Sequence, residues 1–218
     1  MSDTRDAGVR VRYVDAAGHE HSQSLSEVDE GGLATALPIR RVVGRKGQRH
    51  RPGLFWSATT GDHVPYESWL ELDRLWLADA DPQVTWIAAQ PMALDGWDGD
   101  VHRRHVPDLF LRRAGAAPLV VDVKPLEFAT RPDVAAVFDW TAKAVRTQGW
   151  DFEVWTGAPD SAMADVRACA FARRIGHPSM PALQASHAGM VAELHEAWRG
   201  GGFALPANAR RLPGKVLA

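Results

Sequence analysis

The chain is poor in cysteine: Cys169 stands alone among 218 residues. A single thiol excludes an intrachain disulfide and every cysteine-cluster zinc site, and it fits a reducing compartment. Lysine is scarce as well. Lys46, Lys124, Lys143 and Lys215 stand against 21 arginines, so each lysine departs from the chain's habit. No apolar run nears the roughly 20 residues that a membrane span requires. The opening MSDTRDAGVRVR has no apolar signal core. The expectation is a cytoplasmic protein with no membrane contact. The net charge of −2 excludes a globally basic nucleic-acid binder and leaves such contact to a local patch.

With 45% hydrophobic and 24% charged residues, the chain can bury one sizeable core and stay soluble. Residues 8–15 alternate like a short strand, whereas 16–35 are polar and Gly-rich and carry no pattern. The stretch from Pro38 to Pro52 turns basic, with Arg40, Arg41, Arg45, Lys46, Arg49 and Arg51 as candidate phosphate contacts or as a solvated loop. GLFWSATTGDHVP then reads as strand and turn. The spacing predicts a helix over 65–80, with Trp69, Leu72, Leu75 and Trp76 on one side and Glu67, Glu71, Arg74 and Ala78 on a narrow polar stripe. Strands are expected at 84–91, 105–113 and 118–125, with a turn at 95–100 and a hairpin around Gly115. A helix over 131–148 and a strand over 151–157 make a βαβ unit with a parallel, right-handed crossover. Helices at 160–174 and around 181–198 follow.

Three charges fall inside the apolar strands. Side chains alternate along a strand, so Asp122 and Lys124 share a face while Leu119, Val121 and Val123 take the other. Asp108 falls with Val106 and Phe110. Folding the hairpin symmetrically about Gly115 pairs 110 with 120 and 108 with 122, which sets two carboxylates about 4.5–5.5 Å apart by Cα. Opposed carboxylates repel unless a cation sits between them. Asp108 and Asp122 are therefore candidate ligands for Mg2+, the Val123 carbonyl is a further one, and Lys124 can orient a water or stabilise charge on a phosphate. A carboxylate from the helix stripe, Glu67 or Glu71, would complete the set. By itself Asp122-Val123-Lys124 reads better as a structural ion pair at a strand end than as chemistry, since the composition tolerates one such match.

The ordered elements narrow this choice. A helix bearing an acid, then Pro107-Asp108, then Asp122-Val123-Lys124 in an α-β-β-β-α-β order resembles the PD-(D/E)xK, or restriction-endonuclease-like, superfamily. Ser68 with Glu71, Asp81-Pro82, Gln90-Pro91, Pro107-Asp108 and Val123-Lys124-Pro125 resemble, in order, the TnsA-type endonuclease subunit of heteromeric transposases. The resemblance covers about residues 50–157. It implies an α/β fold: a restriction-endonuclease-like core of mixed sheet flanked by helices, with a small helical C-terminal extension. The divisions expected are 1–50 for an N-terminal strand and basic segment, 51–160 for the core and 161–218 for the extension. It implies Mg2+-dependent hydrolysis, with Mn2+ as a substitute, at the 5′ side of transposon ends. The implied partners are double-stranded DNA, a DDE-type transposase and an ATPase regulator. Carried across, the catalytic set is Glu71, Asp108, Asp122 and Lys124, with Gln90 as candidate active-site support; His105 is a further candidate only because it lies close to Pro107-Asp108 in the chain. Two other readings stay open: a stand-alone restriction or repair nuclease of this fold, and an inactive DNA-binding or assembly subunit.

Overall fold

The computed structural model describes residues 8–40 and 52–174, with side chains to Arg167 in the last helix. The architecture is mixed α/β. In chain order the elements are β1 (Arg10–Val14), β2 (Glu20–Ser24), a 3-10 turn, α1 (Glu30–Ala34), β3 (Gly53–Ser57), β4 (Asp62–Tyr66), α2 (Trp69–Ala80), β5 (Val84–Ala89), β6 (Ala93–Asp98) and β7 (Val101–His105). There follow β8 (Leu109–Arg113), β9 (Ala116–Val123), α3 (Leu126–Ala129), α4 (Pro132–Arg146), β10 (Asp151–Trp155) and α5 (Asp160–Arg174). Two four-stranded sheets form, ordered β10-β9-β8-β5 and β2-β1-β6-β7, beside the β3-β4 hairpin.

The first sheet is sandwiched between two apolar layers, and its strands show why. Leu109, Leu111, Leu119, Val121 and Val123 face one layer with Leu75 and Leu77 of α2 and Met163 and Val166 of α5. Their neighbours Ala88, Phe110 and Val120 face the other, with Leu33 of α1, Trp140 and Val145 of α4, and Leu94 of β6. Strands covered on both faces read as apolar runs, as LFL and PLVV do here. Each fully buried Leu, Val or Phe contributes about 1.5–3 kcal/mol. The alternation puts Asp108 and Asp122 on the Phe110 and Val120 side.

The α-β-β-β-α-β succession is present as α2, β5, β8, β9, α4 and β10, with β9 and β10 parallel and Leu119 beside Asp151. The β8–β9 hairpin turns at Gly115, whose φ of 68° is the left-handed region that glycine enters freely. Its register pairs Phe110 with Val120 as expected, but a register shift between Leu111 and Arg113 sets Arg113 opposite Ala116, so the hairpin is not symmetric about Gly115. The ladder stops at Leu109 with Val121, one step short of the expected Asp108 and Asp122 pair.

Four local expectations are corrected. The segment 95–100 is not merely a turn: it belongs to the β6–β7 hairpin, which is inserted between β5 and β8 and joins the other sheet, where β1 pairs with β6. Helix α2 begins at Trp69, not 65, because Pro65 pairs with Leu54 in the β3–β4 hairpin and Ser68 provides the cap. Trp69 is 58% exposed, while Arg74 and Ala78 of the polar stripe are buried, so that stripe faces inward. The polar stretch 16–35 holds β2 and α1. The expected helix around 181–198 lies outside the described residues.

Candidate functional site

The hairpin brings Asp108 and Asp122 to one end of the central sheet. Pro107 has no N–H, and the strand ladder ends beside it. The Asp108 side chain takes over: its Oδ2 accepts the Val123 N–H at 2.7 Å, while its own N–H donates to the Val121 carbonyl at 3.1 Å. Burial drives the Asp108 carboxyl well above the ordinary carboxylate range, the Asp122 and Glu71 charges push it further, and the Val123 N–H and the Arg40 charge only partly offset them. Three acids therefore share one electrostatic neighbourhood.

Asp122 is 2% exposed. Nε2 of His105 lies 2.7 and 2.8 Å from its two oxygens. His105 ends β7, and its ring meets Phe138 of α4 edge-on at 6.3 Å. The inserted hairpin thus delivers a polar partner to a carboxylate that would otherwise be buried alone, which is costly. Glu71 comes from the N-terminus of α2 on the sheet's other side. It forms a capping box: the Glu71 N–H donates to Ser68 Oγ at 3.1 Å, the Ser68 hydroxyl donates to Glu71 Oε1 at 2.9 Å, and the Glu67 N–H donates to Glu71 Oε2 at 2.8 Å. Gly157, just after β10, lets the helix start approach closely. A Cβ there would lie 3.2 Å from Leu70 Cδ1, and its φ is 109°.

Lys124 follows the end of β9. Its N–H donates to the Trp155 carbonyl at 2.8 Å, which fixes its backbone to β10. Its side chain is exposed and has no hydrogen-bond or ion-pair partner among the described residues. A cation two residues from a buried acid yet unpaired with it does not fit the structural ion-pair reading of the Asp122-Val123-Lys124 triplet.

Gln90 lies on the other flank of Asp108. Its N–H donates to the Asp108 carbonyl at 2.8 Å, and its own carbonyl accepts the Ile39 N–H at 3.0 Å. Gln90 has a φ of 47°, the one positive φ at a non-glycine among the described residues. It is 3% exposed, and its Oε1 has no hydrogen-bond partner among them. Strained backbone and an unsatisfied buried oxygen are features that concentrate at functional sites. Composition carried no signal for either. Through Ile39, Gln90 also tethers Arg40, whose charge reaches Asp108. The other basic candidates, Arg41, Arg45, Lys46, Arg49 and Arg51, lie outside the described residues.

All-oxygen carboxylate donors suit a hard divalent cation. Among the described residues no three His, Cys, Asp or Glu side chains are gathered closely enough to hold one as they stand. The oxygens of Glu71 and Asp122 are engaged by the capping box and His105 instead. The donor chemistry and the mutual repulsion at Asp108 fit a cation, and the carboxylates would have to turn toward it. A cleft of about 600 Å3 lies elsewhere, along β10 and α4, and none of the four predicted catalytic residues lines it. No helix among the described residues is long and apolar enough to cross a membrane. No family model matches the chain, and no curated protein matches it at a significant level.

Proposed function

We propose that this chain is a metal-dependent DNA endonuclease, acting as a subunit of a heteromeric transposase that hydrolyses one phosphodiester at the 5′ side of transposon ends. The observation that carries the reading is the gathering of like charge at Asp108, raised by burial, Asp122 and Glu71, with Lys124 two residues after Asp122, exposed and without a side-chain partner among the described residues. The order of elements and the sequence motifs through Val123-Lys124-Pro125 support the same reading.

In this mechanism Asp108 and Asp122, with Glu71 and the Val123 carbonyl, would hold Mg2+ or Mn2+. When bound, the cation supplies Lewis-acid polarisation of the scissile phosphate and eases deprotonation of a water. Asp108, whose carboxyl is raised first by burial and then by the Asp122 and Glu71 charges, would have to give up its proton to act as a ligand. His105 orients Asp122 through both carboxylate oxygens. Lys124, its backbone fixed to β10, orients the attacking water or stabilises negative charge developing on the phosphoryl oxygens. Gln90 holds the backbone of Asp108 in place. The site belongs to a cytoplasmic protein working on double-stranded DNA with a DDE-type transposase and an ATPase regulator.

The test is a nicking assay on transposon-end DNA with the partner transposase and Mg2+ or Mn2+. Lys124→Ala and Asp108→Ala are each expected to lower cleavage on the order of 100- to 1,000-fold, the scale for losing one charge-stabilising group. Cleavage that survives both substitutions unchanged sinks the assignment. Cleavage without any partner favours the stand-alone nuclease. The inactive-subunit reading draws on the engaged oxygens of Glu71 and Asp122, and a titration showing no Mn2+ uptake with DNA present would favour it.

A further inference from the structure

We propose that the outer face of the β2-β1-β6-β7 sheet carries a phosphate pocket, formed by Arg10, Arg12, Arg104 and Ser22, that takes a backbone phosphate of the duplex beside the cleavage point. The inference rests on the nuclease reading for its ligand, but on separate residues for its chemistry.

Strand periodicity builds the pocket. Val11 and Leu94 point into the core, so Arg10, Arg12 and Asp95 point out. The register sets Arg10 opposite both Ser24 and Asp95, Arg12 opposite Ser22 and Ala93, and Asp95 opposite Arg104. Together they line a hollow of about 170 Å3, large enough for a phosphate group. Its charge is unbalanced. Arg104 Nε lies 2.8 Å from Asp95 Oδ2, and His102 Nε2 lies 2.9 Å from Oδ1 of the same carboxylate. Arg10 donates to the Ser22 carbonyl at 2.9 Å and to its hydroxyl at 3.2 Å, and meets no acid among the described residues. Arg12 has no partner among them at all. Within the pocket one carboxylate thus answers three guanidiniums, while Glu20 on the same face lies farther along β2, opposite Val14. The guanidinium fork suits phosphate oxygens in pairs.

The surroundings favour a polymer over a free anion. Trp97, 39% exposed, and His102 continue the same face, with ring centroids 5.0 Å apart, so the surface extends well past one ion. Strand β7 is the edge of its sheet. Arg104 faces outward from it, and the next residue, His105, holds Asp122 on the inner side. A DNA backbone rounding this edge passes from the acidic cluster to the pocket.

The test is fluorescence anisotropy of a labelled duplex with the full chain, in EDTA so that nothing is cut, across a salt series. Arg12→Ala is expected to weaken binding roughly fivefold and to lessen the salt slope by about one, the signature of one lost phosphate contact. Arg12→Lys should recover part of the loss, and Arg12→Glu with Arg104→Glu should deepen it. Circular dichroism identifies variants that have folded, and Arg12→Ala, which breaks no described contact, keeps the test open if the double variant unfolds. Unchanged affinity and slope in Arg12→Ala overturn the proposal. So does saturation by inorganic phosphate in variants and wild type alike without competition against the duplex. If Arg12→Ala binds normally while cleavage still depends on Lys124, the pocket falls and the nuclease reading stands. If affinity drops as expected while cleavage ignores Lys124, the reverse holds.

Discussion

Two charged clusters lie on opposite sides of the central sheet, each with one buried member, Arg74 in one and Asp122 in the other, and they are built on different rules. Arg74 of α2, 1% exposed, meets Glu153 of β10 through two bonds, Nε to Oε1 at 2.7 Å and Nη2 to Oε2 at 3.3 Å, and its guanidinium lies 5.9 Å from the Trp155 ring centroid. Charge there is matched by charge, with an aromatic face beside it. At the other cluster Asp108, Asp122 and Glu71 repel one another, and Asp108 is driven toward its neutral form. The first cluster ties a helix to a strand. The second gathers like charge around Asp108, which a cation would relieve on the proposed nuclease reading.

The contrast breaks most severely at Arg74. Arg74→Met strands a buried Glu153 and should destabilise the chain by about 3–5 kcal/mol, whereas Arg74→Met with Glu153→Met should come back close to wild type. Urea unfolding of both decides, and a mild single variant would mean that Arg74 contributes little.

Asp108→Asn should act in the opposite direction and abolish metal-dependent cleavage while raising the thermal midpoint of the metal-free chain. The sign follows from linkage. The folded pKa of Asp108 lies above its unfolded value, so its stabilising protonation is fully present below the ordinary carboxylate range and is lost as pH rises through the folded value. The gain from Asp108→Asn should therefore be absent below the ordinary carboxylate range and grow as pH rises above it. A gain of equal size at all pH values would separate it from the conflict proposed.

The smallest effect is expected at an exposed acid with good partners. Asp15 is lowered to about 2, first by the His21 ring bond at 2.8 Å, then by the His19 backbone N–H. Its contribution is present above the ordinary carboxylate range and fades as pH falls through about 2. A carboxylate NMR titration should find that midpoint in wild type and a rise toward the ordinary value in His21→Ala, with little change in unfolding at neutral pH.

Where the chain's own pattern was strong, the reading from sequence held. Helix α4 was expected over 131–148 and spans Pro132–Arg146, because its apolar spacing and the proline at its start are local signals. The parity of Asp108 and Asp122 follows from strand alternation, and Phe110 pairs with Val120 as expected although the hairpin is not symmetric about Gly115. The reading failed where stability comes from distant partners. EHSQS has no apolar alternation of its own and becomes a strand by pairing with β1. DGWDGD has turn composition, yet Asp95 pairs with Arg10, far away in the chain. Pro65 looked like a helix start and is a strand residue, since edge pairing tolerates its missing N–H.

Which residue types carry the acidic cluster, and which strand face each occupies, is written in the chain, because alternation and helical spacing are properties of a few consecutive residues. Tertiary packing alone decided that Asp122 is held by His105, that the Glu71 charge reaches Asp108, and that Gln90 strains its backbone beside it. Those relations depend on where an inserted hairpin, a helix cap and a strand end meet, and distances between remote segments follow from the whole core, not from any one stretch of it.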